Sequence, residues 1–217
     1  MQRTGCSDHP CERVELSPES IAEHDLAVKR GNARLRHLFD ELRFGHNVDW
    51  ESVRGIPGLR LEPLSWEELR EIILDGSPAA LGRLGRDPIA QRDYWLFREQ
   101  KKKEYQSMTD YLLHTVFKLK TKEAEDGKLE AVIPPGFKES EDVVWRPNDY
   151  PYDLEPGIEH HNLWSSHCLS DERIGKEVRK HREGYDFLWF INPSALMSVP
   201  TIWHAQVLSR RKNGVTH

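Results

Sequence analysis

The sequence predicts an α+β protein in which a helical amino-terminal region packs on an antiparallel β-sheet. Helix-capping signals and apolar residues at helical spacing dominate the first half of the 217-residue chain. From Ala131 onward the apolar residues fall instead into short runs that are typical of strands. Helices that precede strands in this way are characteristic of the α+β class. The length suits one compact unit built around one sizeable core.

The same patterns divide the chain into four segments. Residues 1–15 are polar and lack periodicity, which indicates a flexible tail. Residues 16–120 form the helical region. Residues 121–130 are rich in lysine and acidic residues and contain no aromatic residue, which predicts an exposed linker. Residues 131–217 form the antiparallel sheet region that carries the candidate site.

Capping signals mark the beginnings of three helices. A capping residue precedes a first-turn proline in Ser17-Pro18 and again in Asp87-Pro88. Ser65 and Glu68 have the spacing of a capping box, in which the two side chains satisfy early backbone amide groups. The three helices are expected to run to about residues 44, 74 and 116, the last as one long helix or two abutting ones.

Four short apolar runs predict the strands, and a charged, proline-free segment at residues 171–182 predicts a helix between them. The connection between the last two runs is too short for a crossover helix, so these strands are expected to be antiparallel neighbours. The four runs span residues 142–145, 158–165, 185–191 and 201–208.

The run at residues 158–165 carries two adjacent histidines. Alternation along an extended segment puts His160, Asn162 and Trp164 on one face and Glu159 with His161 on the other. The first set makes a polar and aromatic wall suited to a pocket. The second set would make a base oriented by a carboxylate if the register were reversed.

The last strand supplies a second polar pair. His204 and Gln206 project from the same face, and imidazole beside amide suits proton transfer together with oxyanion or phosphate binding. Asn192 and Ser198 precede this strand. With His160, these residues predict one reaction centre, whose catalytic candidates are His160, His204, Asn192, Ser198 and Gln206.

A polar stretch upstream of the histidines supplies candidate substrate-binding groups. It places guanidinium, amide and carboxylate side chains within a few residues of the 158–165 strand, at a point where a pocket could use them. The substrate-binding candidates are Arg146, Asp149, Tyr152, Asp153, Glu159, Asn162 and Trp164.

The segment from Gly82 to Lys103 is strongly basic, with seven arginines and lysines against three acidic residues. Aromatic side chains lie among these cations, so the segment suits phosphate backbones and stacked bases. The net charge of the whole chain is −5, so a nucleic-acid partner depends on this local patch. Its candidates are Arg83, Arg86, Arg98, Lys101, Lys102 and Lys103.

Several classes of protein do not fit the sequence. The longest apolar runs are far shorter than the roughly 18 to 20 residues of a membrane helix, and the amino terminus lacks the apolar core of a signal peptide. A cytoplasmic protein without a membrane partner is therefore expected. A glycine-rich phosphate loop is absent, and Cys6, His9 and Cys11 are too few and too isolated for a metal site. We expect neither cofactor nor metal.

A set of short motifs is spread over residues 64–208: Trp66-Glu67-Glu68-Leu69, Leu84-Gly85-Arg86, Tyr105, Tyr111-Leu112-Leu113, Asn148-Asp149-Tyr150-Pro151-Tyr152, Ile158-Glu159-His160, Trp164-Ser165, Trp189 with Asn192-Pro193, Ser198, and His204-Ala205-Gln206-Val207-Leu208. Together these motifs resemble a fungal family named for N-acetylglucosamine-induced protein, a domain of unknown function. The family includes arginine-containing cyclodipeptide synthases, which join arginine to a second amino acid from aminoacyl-tRNA. A more distant similarity, to the histidine-triad fold, rests on Asn192, Ser198 and His204-Ala205-Gln206.

The resemblance implies an arginyl-tRNA-dependent cyclodipeptide synthase that forms cyclo(Arg-Xaa). Its partners would be arginyl-tRNA and a second aminoacyl donor, with the basic segment on the tRNA backbone. His160 or His204 would be the base, and Asn162, Asn192 or Gln206 would stabilise the oxyanion. Glu159 is the first choice for the carboxylate that binds the arginine guanidinium, with Asp149, Asp153 and Glu155 as alternatives. Ser165 or Ser198 would carry any acyl intermediate.

Two other functions stay open at this point. One is a nucleotide or phosphoester enzyme of the histidine-triad type, with Arg146, His204 and Gln206 around a phosphate. In the histidine-triad family histidines alternate along the strand, whereas this chain has Gln206 and Leu208. The other is a non-catalytic binding module in amino-sugar metabolism.

Overall fold

The computed structural model describes residues 18–43, 48–193, 197, 199 and 201–212. The predicted tail and Ser198 lie outside these residues. Five α-helices come first, and the capping signals at Ser65 and Asp87 begin α2 and α4 as predicted. Ser17, the third predicted cap, lies outside the described residues. Ser65 and Glu68 form the expected capping box, and Asp87 accepts hydrogen bonds from the backbone amides of Ile89 and Ala90. The helices are α1 (Pro18–Arg43), α2 (Trp66–Asp75), α3 (Pro78–Leu81), α4 (Pro88–Glu104) and α5 (Met108–Thr115).

The long helical pattern after Asp87 is split into α4 and α5. The break falls at Tyr105, whose backbone is extended, and Ser107 then caps α5 by accepting a hydrogen bond from the amide of Asp110. The two helices therefore take different directions and form one wall of the site described below.

Residues 121–130 form a β-hairpin rather than the predicted linker. Its strands are β1 (Thr121–Glu123) and β2 (Leu129–Ala131), and Gly127 takes a positive φ of 81° in the turn between them. The Asp110 carboxylate accepts a hydrogen bond from the amide of Ala131, which anchors the hairpin to α5. The prediction missed this hairpin because it relied on composition and apolar alternation. The signal for the hairpin in the sequence is the Asp126-Gly127 turn.

The four predicted long strands form one antiparallel sheet in the order β3-β4-β6-β5. The last two strands pair directly, as their short connection predicts. The α+β class is therefore confirmed. The strands are β3 (Val143–Pro147), β4 (Ile158–Ser165), β5 (Tyr185–Phe190) and β6 (Trp203–Arg211), with α6 (Asp171–His181) between β4 and β5.

Helices cover both faces of the sheet. On the far face, Ile174 and Val178 of α6 pack in a buried cluster with Leu163 and Val207. On the near face, residues of α2 share a second cluster with Phe190 and Leu208 at one end of the sheet. The near face beyond that cluster is where α4 and α5 face β4 and β6.

Close backbone contacts hold the loop before α4 against the sheet region. The Arg86 amide donates to the carbonyl of Gly58, and the Asp153 amide donates to the carbonyl of Gly85. A Cβ at position 85 would lie 2.5 Å from the carbonyl carbon of Gly58, so only glycine allows this approach. Arg86 is thereby fixed beside the connection between β3 and β4. Within the described residues, no helix combines the length and apolar character needed to cross a membrane.

Candidate functional site

A cavity of about 350 Å³ lies between the near face of the sheet and helices α4 and α5. The sheet contributes Asn162 and Trp164 from β4 and His204 and Gln206 from β6. The strand register sets Asn162 opposite Gln206 and Trp164 opposite His204. The polar residues of β4 and those of β6 therefore lie side by side on the same face of the sheet.

More than half of the sequence-predicted site residues line this cavity. The remainder lie beneath it, on other surfaces or outside the described residues. Those that line it are Arg86, Arg98, Arg146, Asp149, Tyr152, Asn162, Trp164, Asn192, His204 and Gln206.

His160 lies beneath the cavity, and its two ring nitrogens have defined roles. Nδ1 accepts a hydrogen bond from the backbone amide of Tyr152 at 3.2 Å. The ring proton must therefore be on Nε2, which lies 2.7 Å from Oε1 of Gln206 and donates to it. The Tyr152 ring stacks on the imidazole with 4.6 Å between ring centroids. Burial lowers the pKa of His160 to about 3, so the ring is neutral near pH 7.

These contacts make His160 a poor general base. Both of its nitrogens are engaged, and its protonated form is strongly disfavoured. The structure therefore does not support the predicted choice of His160 as the proton acceptor. The ring instead orients the side chain of Gln206.

The amide of Gln206 is fixed by several donors. Its Oε1 accepts from Nε2 of His160 and from Nδ2 of Asn162 at 2.8 Å, and Nδ2 of Asn148 approaches at 3.4 Å. Asn148 is itself oriented because its Oδ1 accepts from the amide of Tyr150. Since Oε1 is the acceptor for these donors, the Nε2 donor of Gln206 points away from them. Gln206 itself lines the cavity. Sequence reasoning gave Asn148 no role, although it belongs to the polar stretch after β3.

His204 has the opposite tautomer. Its Nδ1 lies 3.0 Å from the carbonyl oxygen of Ile202 and donates to it, so Nε2 carries the lone pair of the neutral ring. The side chain is buried, with 3% of its surface exposed, and the ring stacks on Trp164 at 4.5 Å. Among the described residues, His204 is thus the one imidazole that lines the cavity.

Aromatic rings from α4, α5 and the β3–β4 connection form the opposite wall. Tyr150 contacts Tyr94 and Phe97 at centroid distances of 5.1 and 4.9 Å, and Phe97 contacts Tyr111 at 5.4 Å. Arg86 packs over the Tyr94 ring at 4.2 Å. Two of the aromatic side chains in the basic segment, Tyr94 and Phe97, therefore face the polar strands across the cavity.

Glu159 does not lie in the cavity. Register puts it on the far face with His161, and its carboxylate accepts from the Arg182 guanidinium at 2.7 Å. The His161 ring also accepts from Arg182 and stacks on Trp145 at 4.8 Å. Ser165 is fully buried on the same face. Glu159 therefore cannot contact a ligand in the cavity, because it lies on the opposite face of the sheet. Its carboxylate pairs there with Arg182, which follows α6.

The other predicted acidic residues separate in the same way. Asp153 lies outside the cavity, where burial raises the pKa of its carboxyl group. Asp149 is the one carboxylate that lines the cavity among the residues the structure describes. Both of its oxygens accept from the same terminal nitrogen of Arg146, at 2.8 and 3.1 Å.

The predicted basic patch is divided between several surfaces. Arg86 and Arg98 line the cavity, and Lys101 lies 5.6 Å from the centroid of Tyr111 while it pairs with Glu104. Lys102 pairs with Glu99, and Lys103 is exposed. Arg83 lines a second, smaller cavity beside Arg54 and Arg60. Only part of the patch therefore adjoins the site.

The fold and the cavity define the class of the protein as an α+β protein with a polar and aromatic cavity on one face of a four-stranded antiparallel sheet. The chain belongs to the family DUF3605, described as a protein of unknown function, whose model matches residues 65–210. This range takes in α2 to α6 and nearly the whole sheet. The predicted membership of a family of unknown function is confirmed at that level.

The chain is similar to a yeast protein and to a protein of known structure. It is 28% identical over 161 residues to the uncharacterized protein YPL067C of Saccharomyces cerevisiae. The matched region covers 66% of this chain and 77% of the yeast protein. The chain is also similar to the protein in the crystal structure of HTC1, with 26% sequence identity and a TM-score of 0.46. This match covers 69% of the present chain and 89% of the HTC1 chain.

Proposed function

We propose that the protein is an arginyl-tRNA-dependent cyclodipeptide synthase, which forms a cyclo(Arg-Xaa) diketopiperazine by aminoacyl transfer. The observation that carries the proposal is the placement of His204 and Gln206 two residues apart on one face of β6, at the base of a single cavity. A proton acceptor and an oriented amide donor are the two groups that aminolysis of an ester uses. The sequence resemblance supplies the aminoacyl-tRNA substrate.

The first step joins the two aminoacyl groups. The α-amine of one group attacks the ester carbonyl of the other, so a C–N bond forms and the C–O bond to the terminal ribose of the tRNA breaks. His204 Nε2 accepts the proton that the amine loses and returns it to the departing ribose oxygen. Because the ester is already activated, holding amine and carbonyl together can supply on the order of 7 to 11 kcal/mol of the barrier.

Gln206 is the proposed oxyanion donor. Its Nε2 is directed by the three groups around its Oε1, and a pre-oriented donor stabilises the tetrahedral intermediate without reorganisation. The second step repeats this chemistry within the dipeptidyl ester: its free amine attacks the remaining ester, the ring closes and the second tRNA leaves. Two aminoacyl-tRNA molecules yield one diketopiperazine and two free tRNAs.

Asp149 replaces Glu159 as the proposed acceptor of the arginine guanidinium. It lines the cavity, and Arg146 uses only one nitrogen on it, so lone pairs of the carboxylate are available to a planar fork. For the tRNA, Arg98 lines the cavity, and Lys101 lies 5.6 Å from the ring centroid of Tyr111, which also lines it. Lys101 and Lys102 each pair with an acidic residue of α4. We propose that Arg98 and Lys101 contact the tRNA backbone beside the site.

Incubation of the purified chain with charged tRNA and mass spectrometry of the products tests the proposal. Total tRNA charged with arginine is combined with tRNA charged with each other amino acid in turn, with and without ribonuclease. The expected result is an arginine-containing diketopiperazine that is lost with ribonuclease. The second donor that gives product identifies Xaa. Absence of product with every charged set would overturn the proposal.

The variant His204→Asn isolates the role of the imidazole. Asn keeps a donor for the Ile202 carbonyl but cannot accept a proton, so the fold should persist while turnover is lost. His161→Asn is the matched control, because this histidine lies on the far face against Arg182 and Trp145. Equal loss of product in the two variants, with both folded, would contradict the assignment of His204 as the base.

A nucleotide or phosphoester enzyme of the histidine-triad type is a second candidate function. The observation in its favour is that His204 and Arg86 line one cavity. Release of phosphate or of a nucleoside monophosphate from nucleotide substrates without tRNA, lost in His204→Asn, would support it over aminoacyl transfer.

A further inference from the structure

We propose that Arg86 forms an anion subsite in the cavity, which binds the phosphate of a nucleotide group. The inference deepens the proposed function, because an aminoacyl-tRNA ends in a nucleotide, but it rests on binding geometry and not on turnover. Its basis is a guanidinium that is fixed in place, faces the cavity and has only neutral partners.

The position of Arg86 is determined by its surroundings. Its backbone amide and carbonyl bond to Gly58 and Arg60, at 3.0 and 2.8 Å. Its Nε donates to the carbonyl of Tyr150 at 2.9 Å, and one terminal nitrogen donates to Oε1 of Gln91 at 3.3 Å. These two side-chain contacts do not involve the other terminal nitrogen. The guanidinium is therefore pre-oriented and keeps donors for a ligand.

The charge of Arg86 is not neutralised within the described residues. Both side-chain acceptors are neutral oxygens, and the one described carboxylate that lines the cavity, Asp149, is held by Arg146. The positive charge also acts deeper in the site, where it adds to burial in lowering the pKa of His160. A partly buried cation without a counter-charge is costly, and a bound anion would offset that cost.

The neighbours of Arg86 favour a nucleotide over a simple carboxylate. Tyr94 and Tyr150 lie beside the guanidinium and line the same cavity, which gives flat apolar surface next to a phosphate-binding group. Arginine binds phosphate through a fork of parallel donors, and aromatic rings accept any base by stacking. The shared chemistry is a phosphate next to a planar base, from either a free nucleotide or the acceptor end of tRNA.

Calorimetric binding of adenosine 5′-monophosphate, adenosine and inorganic phosphate tests the subsite. Wild type should bind the monophosphate roughly tenfold or more tighter than adenosine, as expected for charge-assisted hydrogen bonds. Arg86→Gln should remove this difference, and Arg86→Lys should keep part of it. Arg92→Gln is the control: the same change on the same segment, at an arginine that pairs with Asp93 and packs over Phe39. Equal affinities of wild type for adenosine and its monophosphate would overturn the inference.

A measurement on wild type covers the case in which Arg86→Gln does not fold. Phenylglyoxal modifies arginine, and peptide mass spectrometry reports the modified positions. The monophosphate should protect Arg86 and leave Arg92 unprotected, whereas adenosine should protect neither; modification of Arg86 at the same rate with each ligand would contradict the subsite. Protection by uncharged tRNA as well would assign the phosphate to the acceptor end, and protection by the monophosphate alone would assign it to a free nucleotide. Protection without any diketopiperazine product would leave the subsite standing while the proposed function fails.

Discussion

Nε2 of His160 lies 2.7 Å from Oε1 of Gln206, and the direction of that hydrogen bond is set by a backbone amide on the other side of the ring. The Tyr152 amide occupies Nδ1, so the imidazole can only donate to Gln206. Gln206 must then present its oxygen to His160 and its amino group elsewhere. A buried histidine that looks like a catalytic base in the sequence is thus a positioning residue for a neighbouring donor.

Substitutions at His160 should separate positioning from proton transfer. His160→Gln retains a donor near the position of Nε2, so product formation should stay within about an order of magnitude of wild type. His160→Leu removes the donor and should lower kcat further, though less than the roughly 10²- to 10³-fold effect of losing an oxyanion donor itself. The measurement is the rate of diketopiperazine formation, with folding checked by circular dichroism.

The same two variants also distinguish the alternative role. If His160 were the base, the Gln and Leu variants would lower turnover to the same extent, and the pH profile of the residual activity would lose its lower limb. We expect instead that both variants retain the wild-type pH profile, because the proposed proton acceptor is His204.

Stability should fall in mild acid because two buried histidines resist protonation. Burial lowers the pKa of His160 to about 3 and that of His161 to about 4, and the adjacent Arg182 charge contributes at His161. The unfolded chain binds these protons below its ordinary pKa near 6.5, while the folded chain does not. The free energy of unfolding should therefore be intact above pH 6.5 and decline toward pH 4.

Urea unfolding at several pH values between 7 and 4 measures this dependence. Each histidine contributes a slope of at most about 1.4 kcal/mol per pH unit. His161→Gln should remove one such contribution and flatten the curve of unfolding free energy against pH. A curve of unchanged slope in this variant would show that His161 is not among the groups that cause the acid sensitivity.

Many features of the fold could be predicted because their signals are local. Capping residues such as Ser65 and Asp87 satisfy amides within the next turn, and strand alternation alone puts His204 and Gln206 on one face. The role of His160 could not be read in this way. It depends on Tyr152, eight residues away, and on Gln206, which only the sheet brings alongside.

Long-range partners also explain the errors in the predicted site. Glu159 has the chemistry of a guanidinium acceptor, but a protein guanidinium, Arg182, follows α6 and reaches it from 23 residues away. The charges of Lys101 and Lys102 are likewise shared with Glu104 and Glu99 on the same helix. Net charge along a segment does not show which cations are paired. The prediction therefore overestimated how much positive charge is left for a ligand.

Replacement of Gly85 should disturb the loop that carries Arg86. A Cβ there would lie 2.5 to 2.8 Å from the backbone of Gly58 and Leu59, which have little freedom to move. We expect Gly85→Ala to lower the free energy of unfolding by about 1 to 3 kcal/mol, as overpacking commonly does. Thermal or urea unfolding measures this loss.

Gly175→Ala in α6 is the contrasting substitution. There the nearest atoms belong to the flexible Arg179 side chain, at 3.3 Å, and alanine is favoured over glycine within a helix by roughly 1 kcal/mol. This variant should be as stable as wild type or more so. Equal stability of the two alanine variants would contradict the close backbone approach at Gly85.

Arginine selection should depend on Asp149 and not on Glu159. Asp149→Asn removes the one carboxylate that lines the cavity among the described residues, so arginine-containing product should decrease by roughly one to two orders of magnitude, the effect of one lost charge-assisted pair. Glu159→Gln changes the same chemistry on the far face, where Arg182 holds the carboxylate, and should leave the product yield near wild type. Competition between tRNA charged with arginine and tRNA charged with citrulline sharpens the test, since citrulline keeps the shape of arginine but lacks its charge. Wild type should favour arginine, and Asp149→Asn should reduce that preference. The opposite result is a preference that is lost in Glu159→Gln and kept in Asp149→Asn. It would show that the guanidinium binds at the far face of the sheet and would exclude the cavity as the site of arginine recognition.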